Sequence, residues 1–274
     1  MSIRVRIGGA GMIAGMLVLG AADAKAEADD PGLPAICTDR PTKSNYACTV
    51  DPDHFQYEAD LLNVTATGSD GSSSETWFVL NPTLKYGLAP GVDVEASFSP
   101  FVSARNDGPG GSSQITGPSD LTVRLKYQFL DVDGSTLQAT FLPYVKVPTA
   151  RLGIGNGAWE GGFLLPLNYK LTDIVTLTTV PEIDILKNGS NDGRHLSTSQ
   201  LVNIGFALPA KFTLYAELWG SWNFDPAGTV AQYSADAAIA YAVTRYLQID
   251  MGVNFGLNAA TPDVQGYIGI AQKF

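Results

Sequence analysis

The sequence predicts an all-β protein: a transmembrane, antiparallel, up-and-down β-barrel of about twelve strands. Three observations predict it. The chain opens with the pattern of a secretory signal. From residue 53 onward, apolar and polar side chains alternate with period two in segments separated by turn residues. The last segment alternates in the same way and stops on an aromatic: Val264, Ile268, Ile270 and Phe274 share one face, while Gln265, Tyr267, Ala271 and Lys273 take the other.

The signal occupies residues 1–26. Arg4 and Arg6 give its positive start, residues 7–22 its apolar stretch, and Ala24-Lys25-Ala26 its small-x-small cleavage site, so the mature chain is expected to begin at Glu27. The chain is 45% hydrophobic, yet its mean hydropathy is only +0.06. A helical membrane protein would be far more apolar, whereas a barrel hides its hydrophobicity by alternation. The formal charge of −10 argues against nucleic acid as a partner, because phosphate would be repelled.

Taken in order, the first strand sets Phe55, Tyr57, Ala59 and Leu61 against Gln56, Glu58 and Asp60. The second sets Phe78, Leu80, Leu84 and Tyr86 against Asn81, Thr83 and Lys85, and the third Val92, Val94, Ala96 and Phe98 against Asp93, Glu95, Ser97 and Ser99. The fourth is the cleanest, with Leu121, Val123, Leu125, Tyr127 and Phe129 alternating with Thr122, Arg124, Lys126 and Gln128. The fifth opposes Leu137, Ala139, Phe141, Val145 and Val147 to Gln138, Thr140, Tyr144 and Lys146. The sixth opposes Trp159, Phe163, Leu165, Leu167 and Tyr169 to Glu160, Asn168 and Lys170.

In the seventh, Val175, Leu177, Ile183 and Ile185 face away from Thr176, Thr178, Glu182 and Asp184. The eighth carries Val202, Ile204, Phe206 and Leu208 against Ser199 and Asn203; the ninth, Phe212, Leu214, Leu218 and Trp222 against Thr213, Glu217 and Ser221. The tenth has Tyr233, Ile239, Tyr241 and Val243 against Ser234 and Asp236. The eleventh has Leu247, Ile249, Met251, Val253, Phe255 and Leu257 against Gln248, Asp250 and Asn254. The terminal strand makes an even count, as single-chain barrels have.

Connections alternate in length. Tight turns fall at 87–91, 130–135, 172–173, 209–211 and 244–246; longer loops rich in Gly, Ser and Asn fall at 67–75, 103–119, 148–158, 187–196, 223–231 and 258–262. Short turns on the periplasmic side and long loops outside are the barrel pattern, and aromatics sit at both ends of the apolar face like the girdles of a lipid-spanning wall. A soluble sandwich or barrel would show the same alternation, but not these girdles, the loop asymmetry and the signal together.

If the apolar face meets outer-membrane lipid, the polar face encloses the lumen. The expected lumen-lining charges are Glu58, Asp60, Lys85, Asp93, Glu95, Arg124, Lys126, Lys146, Glu160, Lys170, Glu182, Asp184, Glu217, Asp236 and Asp250, which must be solvated or paired. They read either as a channel wall or as an ion-pair lattice, with Asp93 and Glu95 pairing across strands to Arg124 and Lys126. Pro82, Pro143, Pro166 and Pro181 remove ladder donors within strands. They read as tolerated bulges or, across the fifth to seventh strands, as a gap for lateral exit of an apolar solute.

Cys37 and Cys48 in an exported chain are expected to form a disulfide; with His54 alone nearby they make a poor metal set. Residues 27–52 form an N-terminal segment that starts on the periplasmic side and is expected to plug the lumen in part, Arg40 and Lys43 meeting its excess acids. Catalysis has little support, and no cofactor is expected. His195-Leu196-Ser197 resembles the His-x-Ser of outer-membrane phospholipases, but Thr198-Ser199 do not continue that pattern and the parity points inward. His195 reads as a solvated loop residue.

Two sets of residues carry a family resemblance. Cys37-Thr38-Asp39-Arg40-Pro41-Thr42-Lys43-Ser44, Cys48-Thr49-Val50 and Phe55-Gln56-Tyr57-Glu58 resemble the start of proteobacterial proteins known simply as transporters. Asp120-Leu121-Thr122, Lys126-Tyr127, the run from Pro143 to Thr149 and the stretch from Gly157 to Lys170 resemble the outer-membrane family named for the meta-pathway of phenol degradation. The resemblance implies a channel-like protein of the bacterial outer membrane, passing a small-molecule solute that in some members is aromatic or apolar, and it carries no catalytic residues. A barrel ending at Phe274 implies the barrel-assembly machinery as a partner; Gln272 departs from the usual apolar residue of that terminal signature. A non-conducting structural barrel is the remaining alternative.

Overall fold

The computed structural model describes residues 33–69, 71–130, 136–190 and 192–274; the expected signal, the start of the expected plug segment (27–32) and most of the turn at 130–135 lie outside them. Fifteen strand segments run in chain order: β1 (Phe55–Ser69), β2 (Ser72–Ala89), β3 (Val92–Ser97), β4 (Phe101–Gly108), β5 (Gly111–Gly117), β6 (Leu121–Leu130), β7 (Leu137–Val147), β8 (Glu160–Leu164), β9 (Leu167–Lys170), β10 (Val175–Lys187), β11 (Arg194–Ala207), β12 (Phe212–Asn223), β13 (Val230–Ala242), β14 (Leu247–Gly256) and β15 (Val264–Lys273). They build a closed antiparallel barrel of twelve staves. Three staves are broken once each, β3/β4, β5/β6 and β8/β9, and every break holds a proline: Pro100, Pro118 and Pro166. Proline has no N–H to give the ladder.

Closure comes from β1, which pairs with β2 on one side and β15 on the other. The Phe274 N–H donates to the Phe55 carbonyl at 2.8 Å, and the Phe55 N–H returns a bond at 3.3 Å. A closed sheet leaves no edge in lipid.

The alternation sorts as expected. Leu84, Leu125, Phe129, Ile185, Leu218, Met251 and Ile268 are exposed, while Gln56, Glu58, Lys85, Asp93, Glu95, Lys126, Asn203 and Glu217 are buried. That inverts the rule for soluble proteins and is the signature of a barrel whose outside solvent is lipid. The rims carry aromatic pairs: Phe55–Tyr86 (ring centroids 4.6 Å apart) and Phe212–Tyr241 (4.8 Å) at the short-turn end, and Trp222–Tyr233 (5.9 Å) at the other.

Two expected loops are strands instead. Residues 103–119 form most of the β4–β5 hairpin, and the β1–β2 turn is confined to the residues between Ser69 and Ser72. The sequence there is Ser-, Thr- and Gly-rich, because strands that rise beyond the lipid are wet on both faces and need no apolar alternation.

The prolines thin the wall without opening it. The β6–β7 ladder skips from Arg124↔Tyr144 to Tyr127↔Phe141, omitting Pro143. β7 pairs with β8 up to Leu142↔Leu164 and with β9 from Ala139↔Leu167, skipping Pro166. Single bonds span the interruptions: Thr140 N–H to the Pro166 carbonyl (3.0 Å) and Leu165 N–H to the Pro181 carbonyl (2.9 Å).

Candidate functional site

The lumen is filled at its short-turn end by residues 34–54, the described chain that precedes β1. Cys37 and Cys48 are joined by a disulfide, Cα atoms 6.4 Å apart, and between them the segment has no regular secondary structure. Its backbone donors therefore need partners from elsewhere. Wall carboxylates supply them: Glu58 accepts from Asp39 N–H (3.1 Å), Glu217 from Lys43 and Ser44 N–H (3.2 Å each), and Asp93 from Val50 N–H (2.8 Å). Gln56 and Gln128 donate to the carbonyls of Cys37 (2.7 Å) and Ala47 (2.8 Å).

Adjacent side chains of opposite charge then dock on opposite patches. Asp39 enters a basic pair, meeting Lys126 Nζ at 2.8 Å and also Lys85. Arg40 enters an acidic pair, Asp60 (2.6 Å) and Asp250 (2.7 Å). Burial alone would raise the Asp39 carboxyl, but Lys126 and Lys85 outweigh it and hold it well below the usual carboxylate range. Burial alone would lower the Arg40 guanidinium, and Asp250 with Asp60 lift it instead. Lys43 pairs with Asp236, donates to Ser234 Oγ (3.0 Å) and lies 5.4 Å from the centre of the Trp219 ring. Where the segment leaves for β1, Asp51 pairs with Lys273.

Of the expected lumen charges, Glu58, Asp60, Lys85, Asp93, Lys126, Glu217, Asp236 and Asp250 contact this segment. Glu95 instead ties Lys85 (3.4 Å), Arg124 (3.7 Å) and Lys126 (3.8 Å) into one lattice. The expected register holds, Asp93 facing Lys126 and Glu95 facing Arg124, although Asp93 spends its hydrogen bond on Val50. Lys146 and Glu160 pair near the outer rim at 2.7 Å, together with Asp120. Asp184 accepts from Tyr144 Oη (2.6 Å) and Glu182 from Ser199 Oγ (2.7 Å). Lys170 is a correction: it is exposed at the short-turn end and pairs with Asp173 in its own turn, beyond the buried wall.

His195 is a second correction. It is buried, not solvated; its Nδ1 lies 3.0 Å from Asn188 Oδ1 and 3.7 Å from Asp225, bracing two outer loops. Sequence reasoning also missed Asp39 as an anchor and an inward apolar cluster, Leu142, Leu164, Val180 and Leu201, with Tyr144 and Trp219 packed against it. The doublets Phe141-Leu142 and Leu201-Val202 carried the signal, since two apolar neighbours put one on each face.

The chain from residue 38 to residue 274 matches the family described as MetA-pathway of phenol degradation. The chain belongs to this family. Among solved structures, the phenol-degradation family barrel is similar to the COG4313 outer membrane channel from Pseudomonas putida F1, with a TM-score of 0.65 and 14% identity, covering 90% of this chain and 100% of that one. It is also similar to the NalP autotransporter translocator domain from Neisseria meningitidis (TM-score 0.54, 10% identity, 82% and 90% covered) and to the NanC porin (0.53, 10%, 80% and 100%). No curated protein sequence matches it. At these identities the likeness is one of fold, that of bacterial outer-membrane barrels.

Proposed function

We propose that this outer-membrane barrel is a channel for a small aromatic or otherwise apolar solute, with the segment from residue 34 to residue 52 as its plug. One observation carries the solute class. Leu142, Leu164, Val180 and Leu201 turn inward on four successive staves, at the level where Pro143, Pro166 and Pro181 interrupt the wall. A water-filled pore gains nothing from such side chains, because each buried aliphatic group is worth about 1.5–3 kcal/mol only when it leaves water. The family's description points toward the same chemistry. The wall between β7 and β10 is closed at this level by only a few bonds, and lateral exit of a solute that partitions into lipid would require those bonds to part.

The test is the initial rate of radiolabelled toluene uptake by whole cells with and without the protein. A faster rate with the wild type, reduced by Leu164→Asp, supports the reading. Equal rates in cells with and without the barrel would remove it. The many hydrogen bonds and ion pairs that hold the plug to the wall favour one second reading, a sealed structural barrel, which predicts no conductance in a planar bilayer under any condition.

A further inference from the structure

The lipid-facing wall carries a groove along β3, whose outward residues Val92, Val94 and Ala96 are no larger than valine. In the sheet, Ala96 stands between Leu84 of β2 and Val123 of β6, and Val94 stands between Tyr86 and Leu125. Leu84 and Leu125 are exposed, while Val94 and Ala96 are half-buried beside them. Short side chains between taller rows leave an apolar groove of about 260 Å³. The stacked rings of Phe55 and Tyr86 border it at the short-turn rim.

Within a bilayer an apolar lining does not by itself select an occupant, because lipid tails are as apolar as leucine. Shape does. A void beside Ala96 would forfeit dispersion contacts on one side, and a flexible alkyl chain laid along β3 restores them. For scale, an apolar cavity of roughly 150 Å³ holds the six carbons of benzene, so this groove takes about ten carbons of an alkyl chain.

The rim supplies a polar end. The Asp53 N–H donates to the Gly87 carbonyl at 3.0 Å, which holds this residue beside Tyr86, and the Tyr86 hydroxyl donates to Asp53 Oδ1 at 3.2 Å. Asp53 is exposed, and among the described residues it has no ion pair. Lys273, on the stave that closes onto β1, is already taken by Asp51. Tyrosines at the ends of a lipid-facing wall sit at head-group level. An uncompensated carboxylate therefore stands where a head group meets the groove; it attracts an ammonium and repels an anionic lipid.

We propose that this groove is a binding site for one phospholipid with an ethanolamine head group, an acyl chain lying along β3 over Val94 and Ala96 and the ammonium meeting Asp53. Short turns face the periplasm in outer-membrane barrels, so the lipid belongs to the periplasmic leaflet. The site is on the outside of the barrel and depends on neither the plug nor the solute route.

The test uses the full mature chain in a non-ionic detergent with equal amounts of dioleoyl phosphatidylethanolamine and dioleoyl phosphatidylglycerol, and native mass spectrometry as readout. One retained phospholipid per barrel is expected, the ethanolamine lipid favoured about threefold, the size of one exposed charge pair. Asp53→Asn is expected to keep a bound lipid and lose that preference. Ala96→Phe and Val94→Phe fill the groove and are expected to lose the retained lipid; both side chains face outward, and heat-modifiability on gels checks that each barrel is intact. No retained lipid on the wild type, equal retention of the two lipids, retention unchanged in the groove variants, or a dimer mass in place of a lipid adduct would overturn the proposal. Solute uptake by cells is read separately, so the proposed channel function stands or falls on its own.

Discussion

Arg40 holds Asp250 with two parallel bonds, Nη2 to Oδ1 at 2.7 Å and Nε to Oδ2 at 3.1 Å, while its Nη1 takes Asp60 at 2.6 Å. The two carboxylates stand on β14 and β1, with β15 between them in the sheet. The guanidinium thus bridges the seam where the barrel closes, and its planar fork suits two carboxylates as a lysine would not.

Removing that fork strands both acids. Arg40→Ala leaves Asp60 and Asp250 buried without their cation, a loss of about 3 kcal/mol in plug docking. At 1.4 kcal/mol per decade, single-channel recordings are expected to show the open fraction rise about a hundredfold. Asp60→Asn with Asp250→Asn, which removes the acids as well, is expected to restore part of the seal.

A test without any change of charge lies at Gly269. A Cβ there would overlap the Arg40 guanidinium and the Ala59 carbonyl. Gly269→Ala is expected to dislodge Arg40 and raise conductance in the same direction as Arg40→Ala. Heat-modifiability on gels is expected to persist, showing an intact barrel.

Acid acts on the plug through Asp39. Its docked carboxyl is held below the ordinary value of 3.8, so its contribution is complete above that value and is lost as pH falls below it. The part of channel opening that Asp39 governs is expected to stay flat down to about pH 4.5 and to climb in stronger acid. Asp39→Asn is expected to start from a higher baseline and to show a smaller acid-dependent rise.

The disulfide closes the loop that carries Asp39, Arg40 and Lys43. Cys37→Ser with Cys48→Ser is expected to cost about 2–3 kcal/mol of loop ordering, seen as more frequent openings. The melting of the barrel itself is expected to change little, because no stave contains either cysteine.

Much of this molecule was legible in its sequence because lipid imposes a strict rule: inside the bilayer each stave alternates, so Leu121 to Phe129 declare both their strand and their orientation. The rule lapses outside lipid, which is why Ser103 and Ser113 read as loop and yet lie in strands. It also lapses where the lumen is dry. Leu142 and Leu201 face inward as members of one buried cluster with Leu164 and Val180, which strict alternation alone does not announce. Arg40 and Lys43 were legible as cations among excess acids. Asp39 was not, since an acid in an acidic chain gives no compositional hint that two buried lysines await it. His195 was misread because its Gly- and Asn-rich neighbourhood suggested solvent, while β11 begins at Arg194 and turns the ring inward.

Single-channel conductance of the mature chain, compared with that of a chain lacking residues 27–50, tests the plugged barrel most directly. With the wall charges of Glu58, Lys126, Glu217 and Asp250 freed to water, the shortened barrel is expected to conduct steadily and severalfold more than the intact one. Equal conductance from the two chains would contradict a lumen sealed by its own N-terminal segment.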